Sequence, residues 1–154
     1  MRVRKFKAGD EEAIAKLHNA TVREINGKDY SKEQIESWSP IVKDYSRWKS
    51  SLEFNCSYVA LIDNKIVGFG DLDEKGHIKR LYTHKNYQGK GVGSKILSKL
   101  EQEAKNKGFE EITLESTITA KTFYESQGYV CLGKKIMEFR GVQHEDWEMK
   151  KILK

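Results

Sequence analysis

The chain has 154 residues, with 28 Lys plus Arg against 23 Asp plus Glu, a net charge of +5. One domain spanning 1–154 is expected at this length, and a 38% share of AVILMFWYC with a single Pro excludes a disordered or Pro-rich chain. The longest strongly apolar run, Tyr58 to Ile62, is far short of a membrane span, and the first residues, MRVRKFKAGD, lack the apolar core of a secretion signal. A cytoplasmic protein with no membrane partner is therefore expected. The excess of positive charge suits a phosphate-rich ligand but is too modest to argue for nucleic acid. Cys56 and Cys131 stand alone, with no CxxC and no His at ligand spacing, so no metal site is expected and each reads as a small core residue.

Arg2 to Lys7 reads as a short strand. A helix follows from about Asp10, a candidate N-cap, with Glu11 and Glu12 favouring its dipole and Ile14, Leu17, Thr21 and Ile25 on one face. Ser31-Lys-Glu-Gln34 has the form of a capping box and opens a short helix that stops before Pro40. Val42, Tyr45, Trp48 and Leu52 mark a further amphipathic helix. From Ser57 the period changes: Tyr58 to Ile62 and Lys65 to Leu72 are strands joined by the turn pair Asp63-Asn64. His77 to His84 is a third strand in which Ile78 and Leu81 fall three apart, a spacing that a bulge explains, with Tyr82 the alternative inward residue. After a glycine-rich turn, Ile96, Leu97, Leu100 and Ala104 line a helix closed by Gly108. Ile112 to Glu115 is a strand, Ala120 to Gln127 a short helix ending at Gly128, and Tyr129 to Phe139 and His144 to Ile152 are the last strands. This order specifies a mixed α/β sheet with helices on its faces.

The informative stretch is Tyr87-Gln-Gly-Lys-Gly-Val-Gly-Ser-Lys-Ile-Leu97, three alternating glycines between a strand and a helix. The first turn of a helix has N–H groups without internal partners, and glycines let a phosphate approach them closely. Known phosphate loops fail on counting. A Walker A loop from Gly89 needs Gly-Lys-Ser/Thr where Ser94, Lys95 and Ile96 stand, and a dinucleotide fingerprint meets Ser94 or Ile96 where glycine or alanine is required.

Gln-x-x-Gly-x-Gly does fit, filled by Gln88, Gly91 and Gly93. Here the sequence resembles the GNAT superfamily of acyl-CoA-dependent N-acyltransferases. A second segment, Ala120-Lys-Thr-Phe-Tyr-Glu-Ser-Gln-Gly-Tyr129, is similar to that superfamily's A-x-x-F-Y-E-x-x-G-F/Y, and the element order agrees over the whole chain. The resemblance implies a mixed, mostly antiparallel sheet of about seven strands flanked by helices, and acetyl-CoA as cosubstrate. It implies that Leu81, Tyr82 and Thr83 hold the pantetheine arm through the backbone. The amides of Gln88, Gly89, Lys90, Gly91, Val92, Gly93 and Ser94 would hold the pyrophosphate. Tyr124 matches the general acid that protonates the leaving CoA thiolate. The pattern departs at Thr117, where the superfamily often has Asn, and at Lys85, where it often has Pro.

The chemistry implied is acetyl transfer to a primary amine, probed against two other readings: a CoA-binding sensor and a small basic nucleic-acid binder. A thiol leaves with a pKa near ~8.5 while Tyr sits near ~10, so a Tyr is protonated at neutral pH and able to donate. An ordinary amine near ~10.4 must lose a proton to a base. Glu115, Asp71 and His84 are the candidates, and Glu115, at the end of a strand facing the cofactor, is preferred. Two acidic clusters, Asp71-Leu-Asp-Glu74 and His144-Glu-Asp-Trp-Glu148, would favour a cationic amine if they rim the acceptor side, although solvated faces explain such runs as well. Trp38, Tyr45 and Trp48 occupy the region that in this superfamily commonly shapes the acceptor pocket, and their spacing also reads as core. The acceptor is expected to be a small molecule, and a homodimer through strand edges is left open.

Overall fold

The computed structural model describes residues 1–40, 42 and 44–153. Strand β1 (Arg2–Lys5) leads into three helices, α1 (Glu11–Glu24), α2 (Lys32–Trp38) and α3 (Ser46–Phe54). Three strands follow, β2 (Cys56–Ile62), β3 (Lys65–Leu72) and β4 (His77–Thr83). Then come α4 (Val92–Asn106), β5 (Glu111–Ser116), α5 (Ile118–Ser126), β6 (Val130–Phe139) and β7 (Val142–Ile152). The strands form one sheet in the order β1-β2-β3-β4-β5-β7-β6, antiparallel at every junction except β4–β5. The mostly antiparallel seven-stranded sheet flanked by helices is the architecture expected from the sequence.

Local signals account for most element ends. Ser31 Oγ accepts from Gln34 N at 3.1 Å and Gln34 Oε1 from Ser31 N at 2.9 Å, completing the capping box that starts α2. Asp63 and Asn64 take φ of 52° and 63°, the left-handed pair that a tight hairpin needs. Gly108, at φ 85°, ends α4 with bonds from its own N–H to Lys105 and from Phe109 N to the Ala104 carbonyl, a Schellman closure. The expected bulge is present: Asp71 pairs with Arg80 and Leu72 with Ile78, leaving Lys79 as the extra residue of β4.

Two expectations are corrected. Asp10 precedes α1 but does not cap it. Its carboxylate turns back to Arg4 (2.8 and 3.0 Å) and to the N–H of Lys7 (3.0 Å), because a bidentate guanidinium outweighs a single amide bond. Helix α3 begins only at Ser46, so Val42 and Tyr45 lie in the preceding segment while Trp48 and Leu52 are helical. Asp44 accepts from the N–H and hydroxyl of Ser46 at 2.9 and 3.1 Å and so anchors that late start.

The sheet separates two cores. On one face Val92, Ile96, Leu97, Leu100 and Ala104 of α4 pack on Tyr58, Ala60, Leu72, Ile78, Ile112 and Leu114. On the other, Ile14 and Leu17 of α1 and Leu52 of α3 pack on Val59, Leu61 and Phe69. Gly68 and Gly70 let α4 settle onto β3. A Cβ at Gly68 would stand 2.6 Å from Val92 Cγ1 and 2.9 Å from Ile96 Cδ1, and one at Gly70 would stand 2.9 Å from Ile96 Cγ2 and from Leu81 Cδ1. Gly68→Ala should therefore lower the unfolding free energy by about 1–3 kcal/mol through overpacking. Urea denaturation checks this, and an unchanged midpoint would show that α4 has slack to move.

Candidate active site

The site arises where the sheet comes apart. β4 and β5 run parallel, but they pair only through His77 with Thr113 and Ile78 with Leu114. Directly after Ile78 comes the Lys79 bulge, and from there the two strands diverge. The edge of β4 from Lys79 to Thr83 that faces β5 is left without a strand partner among the described residues. A cavity of about 460 Å³ fills the wedge, lined by β4 from Ile78 to Thr83, β5 from Leu114, the start of α4 and one face of α5.

The start of α4 is built as an anion cradle. Gly91, at φ 80°, stands where a capping side chain would be, and the first turn receives no side-chain cap. The first internal bond closes only at Lys95 N to Gly91 O, 3.2 Å, so the N–H groups of Val92, Gly93 and Ser94 have no partner within the helix. Gly89 (φ 73°) and Gly91 adopt backbone angles that L-residues avoid. Gly93 serves differently: a Cβ there would lie 3.3 Å from Phe123 Cζ, so its absence lets the helix start close against α5. A group bearing phosphates can therefore meet bare amides at a positive helix end, with no acid in the first turn to repel it.

The sequence-predicted residues converge on this cavity. Leu81, Tyr82, Thr83, Gln88, Gly89, Gly91, Val92, Gly93, Ser94, Glu115 and Tyr124 all line it, whereas Lys90 is exposed and outside the lining. Gln88 has an internal duty: its Nε2 donates to the Thr83 carbonyl at 2.7 Å, beside Thr21 Oγ1 at 3.0 Å, bracing the glycine loop on β4. Thr117 lines the cavity, but its Oγ1 accepts from Ala120 N at 3.2 Å and so is engaged in capping α5. Phe123, the F of the A-x-x-F-Y-E segment, also contributes to the wall, as do Thr21 and Asn26, which no sequence pattern placed there.

Tyr124 is 6% exposed, packed by the rings of Phe123 and Tyr129 at 5.2 and 5.6 Å. Among the described residues its hydroxyl has no hydrogen-bond partner, and the oxygen keeps accessible surface toward the cavity that the residue lines. Burial alone pushes its pKa up, so the group stays protonated. Tyr129, by contrast, gives its hydroxyl to Glu101 at 2.8 Å.

The three base candidates have separate fates. Asp71 is fully buried and bound by Arg80 Nε at 3.2 Å and by Asn55 Nδ2 at 3.0 Å, which makes it a structural ion pair. His84 lies outside the cavity lining, and its Nδ1 accepts from Asn86 N at 3.0 Å. Glu115 is held by His77 Nε2 and by Lys135 Nζ at 3.3 Å; the His77 hydrogen bond leads in pulling its pKa down to about 2. A carboxylate so stabilised in its charged form has little affinity for a proton. Asp146, on the same face of the sheet and opposite Lys135 of β6, lies outside both cavity linings but close enough to Tyr82 to raise that phenol, and it behaves in the opposite way. Desolvation, reinforced by the like charge of Glu115 and eased by Lys135, pushes it up to about 6. No hydrogen bond or ion pair holds it among the described residues. Asp146 belongs to the acidic run 144–148, whose other members have partners: His144 bonds Ser37 Oγ at 3.1 Å, and Glu145 and Glu148 pair with Lys134 and Lys135.

Known proteins agree with this geometry. The acetyltransferase (GNAT) domain family matches residues 26–152. The uncharacterized N-acetyltransferase YafP of Escherichia coli is 30% identical over 150 residues, 97% of this chain and 95% of that protein. A GCN5-related N-acetyltransferase from Rhodopseudomonas palustris, titled aminotransferase, class-II, superposes with a TM-score of 0.95 at 27% identity, covering 99% of this chain and 95% of that one. The PaiA N-acetyltransferase of Thermoplasma acidophilum, solved with coenzyme A, shares the fold at a TM-score of 0.74 and 24% identity over 98% of both chains. The chain belongs to the GNAT family of N-acetyltransferases, and acetyl-CoA is its acetyl donor.

The bare first turn of α4 makes a prediction. Gly91→Val puts a β-branched residue at φ 80° and should displace that turn, weakening acetyl-CoA at least about tenfold. Calorimetric titration reads this, and an unchanged affinity would show that the cradle does not carry the cofactor's phosphates.

Proposed function

We propose that the chain acetylates the primary amine of a small molecule by direct attack on acetyl-CoA in a ternary complex, with Tyr124 as general acid. The observation that carries this is the Tyr124 hydroxyl: on a buried ring, protonated, without a protein partner, and open to the wedge where β4 leaves β5. The amine nitrogen bonds to the thioester carbonyl carbon, the C–S bond breaks, and the sulfur leaves into the same apolar cavity. There the desolvated thiolate takes the Tyr124 proton, which the phenol regains from solvent after product departs. Backbone N–H groups along the unpaired edge of β4 support the oxygen that becomes negative as the tetrahedral centre forms.

The proton of the attacking nitrogen goes to the acid side of the sheet. Glu115, expected from the sequence to be the base, stays ionised and attracts the ammonium form. Asp146, held near neutrality, takes the proton, since a base is most effective when its pKa lies near the working pH. The two free cysteines suit a reaction in the reducing cytoplasm.

Tyr124→Phe removes no hydrogen bond the fold uses, so it should leave acetyl-CoA affinity within about twofold and lower kcat by about 10²–10⁴. Retained kcat would sink the assignment. In the unaltered enzyme kcat should fall as pH drops through about 6, where Asp146 gains its proton and can no longer accept one. Asp146→Asn should be slow at every pH and lack that inflection; an Asn variant with the same rate and profile would remove Asp146 from the role.

A further inference from the structure

A second cavity, of about 500 Å³, opens on the acceptor face of the sheet. Its walls include Trp38, Tyr45 and Trp48, so these aromatics do more than fill the core. It adjoins the acetyl-CoA cavity, since Arg80 lines both. Tyr82, part of the first cavity, packs against Trp38 at 6.4 Å and against His18, a lining residue of the second, at 4.5 Å.

The charge of this cavity is one-sided. Among the described residues Lys16, Arg47, Arg80 and Arg140 line it, against Asp44 as the single acid. Two of the cations are answered from outside the lining, Arg80 by Asp71 and Lys16 by Glu12 at 3.3 Å. Arg47 and Arg140 have no carboxylate within ion-pair distance among the described residues. Arg140 is also positioned: it sits at φ 50° in the turn between β6 and β7, and its Nη1 donates to the Ser37 carbonyl at 2.7 Å. That bond uses one N–H of five and leaves the rest of the fork available. His18, buried among these rings with its Nδ1 on Ser39 Oγ at 2.9 Å, is pulled down to about 3 by burial and then by Arg80, so it adds no charge.

The cavity lies in the region expected to shape the acceptor pocket, and from its lining we propose that the acceptor is a small aromatic amine carrying a carboxylate. The ring lies among Trp38, Tyr45 and Trp48, and the carboxylate meets Arg140 and Arg47. The amine extends past Tyr82 toward the thioester and the acidic side of the sheet. An aromatic wall with guanidinium groups on one side and carboxylates beyond suits a zwitterion better than a simple cation. This inference rests on the N-acetyltransferase reading.

The test uses phenylacetate and phenethylamine, which share a ring and differ in charge, titrated into the full chain saturated with CoA. Trp38 and Trp48 fluorescence reports binding. Phenylacetate should bind saturably and at least about tenfold more tightly than phenethylamine, and Arg140→Ala or Arg47→Ala should remove about tenfold of that affinity each while leaving phenethylamine and CoA binding unchanged. Equal or tighter binding of phenethylamine, insensitivity to both substitutions, or no saturable response to phenylacetate would each overturn the proposal. Failure of the acetyltransferase reading looks different, because CoA itself would then not bind at the start of the experiment.

Discussion

The structure depends on one short contact. Among the described residues β4 and β5 are the only parallel neighbours in the sheet, and they stay together for two residue pairs, His77–Thr113 and Ile78–Leu114. Beyond that point the Lys79 bulge twists β4 away, and every functional feature follows from the gap. The edge of β4 keeps unpaired backbone groups, α4 starts at the mouth of the gap, and Tyr124 faces it from α5. A fully paired β4–β5 ladder would consume those backbone groups and close the cavity. The contact is itself reinforced across the sheet by side chains, since His77 Nδ1 bonds Thr113 Oγ1 at 2.7 Å and its Nε2 meets Glu115.

The two faces of the sheet divide the work. The α4 face is apolar up to the helix start, and close approach through Gly68 and Gly70 seats the phosphate cradle on a rigid core. The opposite face joins the aliphatic core under α1 and α3 to a polar and aromatic patch. There Asp71, fully buried, holds Arg80, and Arg80 in turn donates to Ser51 Oγ at 2.8 Å and stacks 4.8 Å from the Trp48 ring. Removing either charge would strand the other in a low-dielectric site, which explains why an ion pair of modest net stability is a rigid part of the wall between the cavities.

Much of this was legible in the sequence, and the unreadable parts share a cause. Alternating glycines at a strand-to-helix junction have a local meaning, and so do a capping box at Ser31, a turn at Asp63-Asn64 and a three-residue step at Ile78–Leu81. Each was readable because its energetics lie within a few residues. The raised pKa of Asp146 was not. Its environment is set by Glu115 of β5 and Lys135 of β6, brought together because β7 inserts between β5 and β6. Glu115 was placed correctly at the cavity, yet its affinity for a proton is decided by His77 from another strand. Asp10 shows the same effect on a smaller scale, with a tertiary partner, Arg4, taking the carboxylate that local rules assign to a helix cap.

We propose that the unpaired edge of β4 and the uncapped start of α4 together hold acetyl-CoA. Amide hydrogen exchange with and without saturating acetyl-CoA tests it most directly, because it reads the very N–H groups involved. The account predicts that exchange slows at residues within Lys79–Thr83 and Val92–Ser94, while the amides of β1 and of the β6–β7 turn keep their rates. Binding of acetyl-CoA with no added protection at either segment would contradict it.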